Sequence, residues 1–202
     1  MTEEYFIRMK IKSLLLCMLV VLMIFLTGSA KSGEMRWPIG ISYVNGFGDL
    51  ADQYEDNLQA EGYWTLSADP WPVGISVQPY YQWDDGFRLG AGIGPMMLIY
   101  GDRDHFQLPL SVTGGYTFMM DGPVSPYVRG GLSYHVASGD YYDGSNIGFI
   151  GGVGIEFLKK KNSTLMLEAV YDGAEVDIDD VRTGGTKGIK AAEFVLSLLL
   201  RF

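Results

Sequence analysis

The chain is 202 residues long, with 27 glycines, a hydrophobic fraction of 48% and a formal net charge of -9. One domain is the natural expectation at this length. The acidic balance excludes nucleic acid as a partner, which takes a basic footprint.

The N-terminus reads as an export signal. Lys10 and Lys12 form a positive flank, Leu14 to Leu26 is an apolar run of signal-peptide length, and Gly28-Ser29-Ala30 offers small residues to a peptidase. Cleavage after Ala30 divides the chain into a signal peptide, residues 1–30, and a mature domain, residues 31–202. The alternative, an anchoring helix, is disfavoured because the run is short for a span. Glu3 and Glu4 sit oddly in such a flank, so translation is expected to start at Met9. Cys17 lies inside the apolar run with Leu16 before it, which does not fit a lipoprotein site. The mature chain is therefore cysteine-free and must be stable without disulfides in an oxidising compartment.

After Ala30 the pattern has a period of two, the signature of strands. The first segment, Trp37 to Val44, sets Trp37, Ile39, Ile41 and Tyr43 against Pro38, Gly40, Ser42 and Val44. Val73 to Trp83 alternates cleanly and ends at the turn Asp84-Asp85-Gly86. Phe87 to Tyr100 and His105 to Phe118 follow, joined by a short polar link. Asp121-Gly122-Pro123 centres the next turn, before Pro126 to Ala137. Ser138 to Ser145 reads as a loop, then Asn146 to Leu158, a lysine turn, and Ser163 to about Val176. Asp177 to Gly188 reads as a loop, and Ile189 to Phe202 closes the chain. Pro79, Pro95 and Pro109 each remove a ladder donor and should mark bulges or broken pairing.

The count is eight strands, with mostly short turns on one rim and longer loops on the other. That pattern predicts an all-β fold: an antiparallel up-and-down transmembrane barrel with both mature termini on the short-turn, periplasmic side. One face of each segment is small and polar, fitting a cramped lumen. The other is bulky and apolar, with Trp37, Trp83, Phe87, Phe118, Phe157 and Phe202 towards the turn rim. Phe106, Phe149 and Phe194 lie towards the loop rim, so two aromatic girdles are expected around a lipid-facing band.

The signal, the eight segments and the terminal Phe202 resemble the small outer-membrane β-barrel superfamily of the OmpA/OmpX type. Pro126-Tyr127-Val128-Arg129-Gly130-Gly131-Leu132-Ser133-Tyr134 and Gly151-Gly152-Val153-Gly154-Ile155-Glu156-Phe157 look like its glycine-rich strands. The resemblance implies an integral protein of a Gram-negative-type outer membrane, in contact with the bilayer and lipopolysaccharide. It also implies that the apolar face of the last strand, Phe194, Leu196, Leu198, Leu200 and Phe202, is a signal to the assembly machinery. The superfamily has no single activity, so the resemblance implies neither a catalytic residue nor a cofactor or metal.

By parity the inward charges are Arg88, Arg129, Glu156, Glu168, Asp172, Glu193 and Arg201. Unpaired charges in a narrow lumen are costly, so an Arg–Glu network is expected there, as a plug fixing strand register in preference to a selectivity constriction. Ser133 and His135 share the inward face of one strand and are the best pair for a lipid-acting enzyme. They face away from lipid, however, and lack a surrounding deacylase motif. His105 reads as a polar residue at a strand end. In the first loop, Leu50, Tyr54 and Leu58 recur at helical spacing with Asp49 placed to cap. A short amphipathic helix is expected, packed as a solvated lid. Its acids (Asp49, Asp52, Glu55, Asp56, Glu61), with Asp177, Asp179 and Asp180 of the last loop, are the alternative surface for an extracellular partner or a divalent cation, though no calcium-loop spacing is present. Trp37-Pro38-Ile39-Gly40-Ile41-Ser42 recurs as Trp71-Pro72-Val73-Gly74-Ile75-Ser76, which places Trp71 at the loop-side interface. The function expected is structural or surface-interacting and not catalytic, with a narrow pore as the alternative and a lipid-modifying enzyme third.

Overall fold

The computed structural model describes residues 32–63, 72–99, 103–160, 163–190 and 192–202. The stretch read as an export signal and Trp71 lie outside them.

Alternation becomes strands as the sequence leads one to expect. The first is β1 (Gly33–Arg36) continued by β2 (Pro38–Val44), followed by a helix, α1 (Phe47–Ala60). The second is β3 (Val73–Val77) with β4 (Tyr80–Trp83), and the third β5 (Phe87–Ile93) with β6 (Met97–Ile99). Then come β7 (His105–Thr117), β8 (Ser125–Gly139), a short β9 (Tyr142–Asn146), β10 (Gly148–Lys160) and β11 (Ser163–Asp172). A hairpin of β12 (Glu175–Asp180) and β13 (Gly185–Ile189) precedes β14 (Phe194–Arg201). Every pairing is antiparallel, and β14 pairs with β2 to close an eight-stranded barrel. Among the described residues no helix is long and apolar enough to cross a membrane, which says nothing of a β-barrel.

The register defines the cylinder. Partners run from Met35 to Tyr81, Leu89, Gly114, Gly130, Gly151, Tyr171 and Phe194. Phe194 then accepts from the amide of Asn45 at 2.9 Å, so the path returns to the first strand ten residues from its start (45 against 35). A stagger of that size on eight strands tilts them by roughly 40–45° and leaves an interior just wide enough for side chains. Gly40 sits on the closing seam, where an added Cβ would overlap the carbonyl oxygen of Leu198. Gly40→Val is expected to force β2 and β14 apart, at about 1–3 kcal/mol or more. The check is loss of the compact, heat-modifiable gel band in the refolded variant.

The prolines behave differently from one another. Between Ile93–Leu110 and Met97–Gln107 the register shifts by one, so Pro95 and Pro109 flank a bulge. Pro79 instead divides β3 from β4 with the register to the first strand unchanged. Beyond the single pair Val77–Ile93, Gly74 of β3 lies against Pro95, which brings no N–H.

Ile39, Ile41, Leu196, Leu198 and Leu200 are exposed on the barrel's outside, whereas Ser42, Ser197, Glu156 and Glu168 are buried inside it. Phe87, Tyr116 and Phe118 stack edge-on near the turn rim, and Tyr171 and Phe194 near the other. Phe87 and Phe118 belong to the band expected at the turn rim and Phe194 to the one expected at the loop rim; Tyr116 and Tyr171 join them.

Two stretches read as loops are folded. Asp177 to Gly188 forms most of the β12–β13 hairpin, and β9 joins it in a three-stranded sheet. Their alternation is hidden because the sheet spans few residues and its outer face is acidic. α1 packs on this sheet: Phe47, Leu50, Tyr54 and Leu58 meet Val176, Ile178, Ile189 and Tyr141, with Met97 and Ile99 from the barrel mouth. The helix begins at Gly46 with no side-chain cap, and Asp49 lies in its first turn. This corrects the expectation that Asp49 caps it.

Candidate functional site

Because one face of every long strand is small, the few long polar side chains project into the lumen and form two layers. On the turn side, Glu156 accepts from Arg201 at 2.6 Å and from the Tyr80 hydroxyl at 3.1 Å, with Arg88 at 3.8 Å. Arg201 also donates to Thr164 at 2.9 Å. Beside it, Glu168 accepts from Arg129 at 2.6 Å, the Tyr127 hydroxyl at 2.9 Å and Gln78 at 3.2 Å. The Arg88 guanidinium lies 3.7 Å from the centre of the Tyr127 ring. Five of the six charges expected in one network thus meet. Glu193 does not join them: it sits at the opposite end of the last strand, where its backbone carbonyl accepts from Asp172 at 2.9 Å. Tyr80, Tyr127, Gln78 and Thr164 complete the layer. Parity put the first three inside, but only the register says which carboxylate each reaches.

The cap-side layer is a chain of hydrogen bonds. Tyr54 of α1 bonds His105 Nδ1 at 2.9 Å, and His105 Nε2 reaches Gln107 Oε1 at 3.5 Å. Gln107 Nε2 bonds His135 Nδ1 at 3.0 Å, and His135 Nε2 reaches Asp172 at 3.2 Å. Asp172 also accepts from the Ser133 hydroxyl and from the amide of Ala174 at 3.0 Å. One choice of ring tautomers lets each donor meet an acceptor in a single direction. Tyr54 donates to His105, His105 to Gln107, Gln107 to His135, and His135 to Asp172. Burial raises the Tyr54 hydroxyl above the ordinary phenol range, which keeps it a donor. His105 is the first residue of β7, a polar residue at a strand end as read, and it is also buried as an interior link. The link was missed because parity says that position 105 faces inward but not that α1 covers it.

Ser133 and His135 are together, yet both bond Asp172 instead of each other. A nucleophile needs its base within reach of its own proton, and this serine donates its hydrogen bond to the carboxylate. Among the described residues there is no group of three or more His, Cys, Asp or Glu side chains that could hold a metal ion.

Outside the lumen, α1 is fastened to the hairpin. Asn57 donates to the carbonyl of Asp179 at 2.6 Å and accepts from the amide of Val181 at 3.1 Å. Glu61 accepts from Arg103 at 2.8 Å and from the Tyr141 hydroxyl at 3.0 Å, and Asp56 pairs with Arg182 at 3.1 Å. Asp56 and Glu61 thus find their cations in neighbouring loops. On the last strand, Phe194, Leu196, Leu198, Leu200 and Phe202 are all exposed on the lipid-facing side.

A closed barrel with a greasy, aromatic-banded exterior and a polar interior is a transmembrane barrel of the outer-membrane type. Residues 17–202 match the model of the outer membrane protein beta-barrel domain, and the chain belongs to that family. Among solved structures it is similar to OprG from Pseudomonas aeruginosa, with 11% identity, TM-score 0.53, and 85% of this chain and 95% of that one covered. It is also similar to the Escherichia coli outer membrane protein W, with 14% identity, TM-score 0.52, and 86% and 98% covered. A third is Neisserial surface protein A, with 17% identity, TM-score 0.51, and 85% and 98% covered. These likenesses show the fold alone. A search of curated proteins found no similar sequence.

Proposed function

We propose that the protein is a non-conducting surface barrel of the outer membrane, with a lumen plugged by its two polar layers and a folded cap that presents acidic loops outwards. The observation that carries this reading is the apolar cluster joining α1, the β12–β13 hairpin and the barrel mouth. A cap with its own buried core is built to hold one shape at the surface, and a solute pathway would have to dismantle it. In this reading residues 1–30 direct export, the cap faces outside and both mature termini face the periplasm. The outward face of the last strand serves as the assembly signal. Bilayer lipid and lipopolysaccharide surround the barrel, and a partner of basic character meets the acidic loops.

Planar-bilayer recording of the refolded protein is expected to show no unitary conductance. A steady open level in the wild type would sink the plug. The second reading, a path for small solutes, is favoured by the seam between β3 and the third strand, which holds one register pair and a proline. Solute-dependent swelling of vesicles carrying the barrel would support it. Catalysis by Ser133 and His135 is not part of the proposal, and unchanged lipid A mass spectra in cells expressing the protein are expected.

A further inference from the structure

Between the two lumen layers lies a cavity of about 40 Å3, lined in part by Arg129, Ser111, Gln78 and Ser76, with Asp172 also in its wall. That is room for roughly two or three waters, or for one small anion. Most of the wall is apolar, including Ile93, Leu110, Ile150 and Val195, and the buried polar atom of the lining left without a partner is a donor, on Arg129. Arg129 gives a terminal nitrogen to Glu168, but its side chain is only 9% exposed and its buried Nε–H has no partner. In the same layer Arg88 is 5% exposed, and neither its Nε nor its Nη2 has a partner. Three guanidiniums, Arg88, Arg129 and Arg201, share two carboxylates, Glu156 and Glu168. The third carboxylate of the lumen, Asp172, is taken up by Ser133, His135 and the amide of Ala174. The turn-side layer is therefore short of one acceptor and one negative charge, and a cationic N–H buried without an acceptor is costly. Gly92 pairs with Ser111, and a Cβ on Gly92 would stand 2.6 Å from the Ser111 hydroxyl oxygen. Glycine here leaves that hydroxyl room to turn towards the cavity.

We infer that the cavity is a binding site for a small monovalent anion of halide size, held by the Nε–H of Arg129 and the hydroxyl of Ser111. The anion supplies the missing acceptor, and its charge balances the excess guanidinium. Phosphate and larger oxyanions exceed the space. Binding is linked to folding, because the donors converge only in the closed barrel.

Bromide is the probe. The full mature barrel, refolded in detergent, is unfolded by heat across a series of sodium bromide against sodium gluconate at constant ionic strength. It is also crystallised from bromide for anomalous scattering. The expected results are a saturable rise in thermal midpoint with bromide only, and an anomalous peak within hydrogen-bond reach of Arg129 Nε and Ser111 Oγ. Ser111→Ala leaves the ion pairs intact and is expected to weaken bromide by about tenfold or more. Ser111→Val, which fills the space, is expected to abolish the rise. Equal midpoints in the two salts, a cavity holding only water at saturating bromide, or unchanged bromide affinity in Ser111→Ala would each overturn the site.

Discussion

Glu168→Leu is expected to cost about 3–5 kcal/mol, the largest loss for any single lumen substitution, because it strands a buried guanidinium. Glu168 is 1% exposed and accepts from Arg129, Tyr127 and Gln78. Leucine fills similar volume but offers no acceptor, so all three donors lose their partner at once. The double variant Arg129→Met/Glu168→Leu is expected to recover much of the loss, since the stranded charge goes with the arginine. What remains is the unmet hydroxyl of Tyr127 and the unmet amide of Gln78. Arg182–Asp56 is the internal control: both side chains are about half exposed, and Asp56→Ala is expected to cost no more than about 1 kcal/mol. Urea midpoints of the refolded barrel in lipid vesicles, read by gel mobility, check all three. A wild-type midpoint for Glu168→Leu would mean that the layer does not hold the barrel closed.

How much of this could be read from the sequence depends on distance along the chain. Face assignment is local, so the period of two already placed Glu156, Glu168, Arg88, Arg129 and Arg201 inside and Phe194 to Phe202 outside. Partner choice is not local. Whether Arg201 reaches Glu156 or Glu168 depends on stagger accumulated over several strands, and a shift of one residue reverses the faces. The bulge at Pro95 and Pro109 makes such a shift. Glu193 shows the limit: its parity is inward, but strand direction puts it at the cap side, far along the lumen from Arg201. The cap was the least legible part. The spacing of Leu50, Tyr54 and Leu58 gave a helix, but what those residues bury came from a hairpin read as a loop. Val176 and Ile178, which form its inner face, alternate over too few positions to stand out.

Tyr54 joins the two halves of the molecule, and Tyr54→Ala is the substitution that should part them. Its ring is buried against Tyr141 and His105, with ring centres 5.1 Å away in each case. Its hydroxyl begins the chain that ends on Asp172. Removing a buried aromatic side chain costs about 3–5 kcal/mol. The cost falls on the cap, because the barrel keeps its strand ladder and its turn-side ion pairs. The expected result is rapid protease cleavage within residues 45–63 of the variant, while the remaining barrel keeps its heat-modifiable migration. Tyr54→Phe separates packing from the relay. The ring stays, His105 Nδ1 loses its donor, and the cost falls to about 1–3 kcal/mol for one unmet buried acceptor. Cleavage of Tyr54→Phe should therefore be intermediate. If Tyr54→Ala loosened cap and barrel together, the two would form a single cooperative unit. If Tyr54→Phe matched the wild type, the relay would contribute nothing to closure, and the apolar contacts of α1 alone would hold the cap.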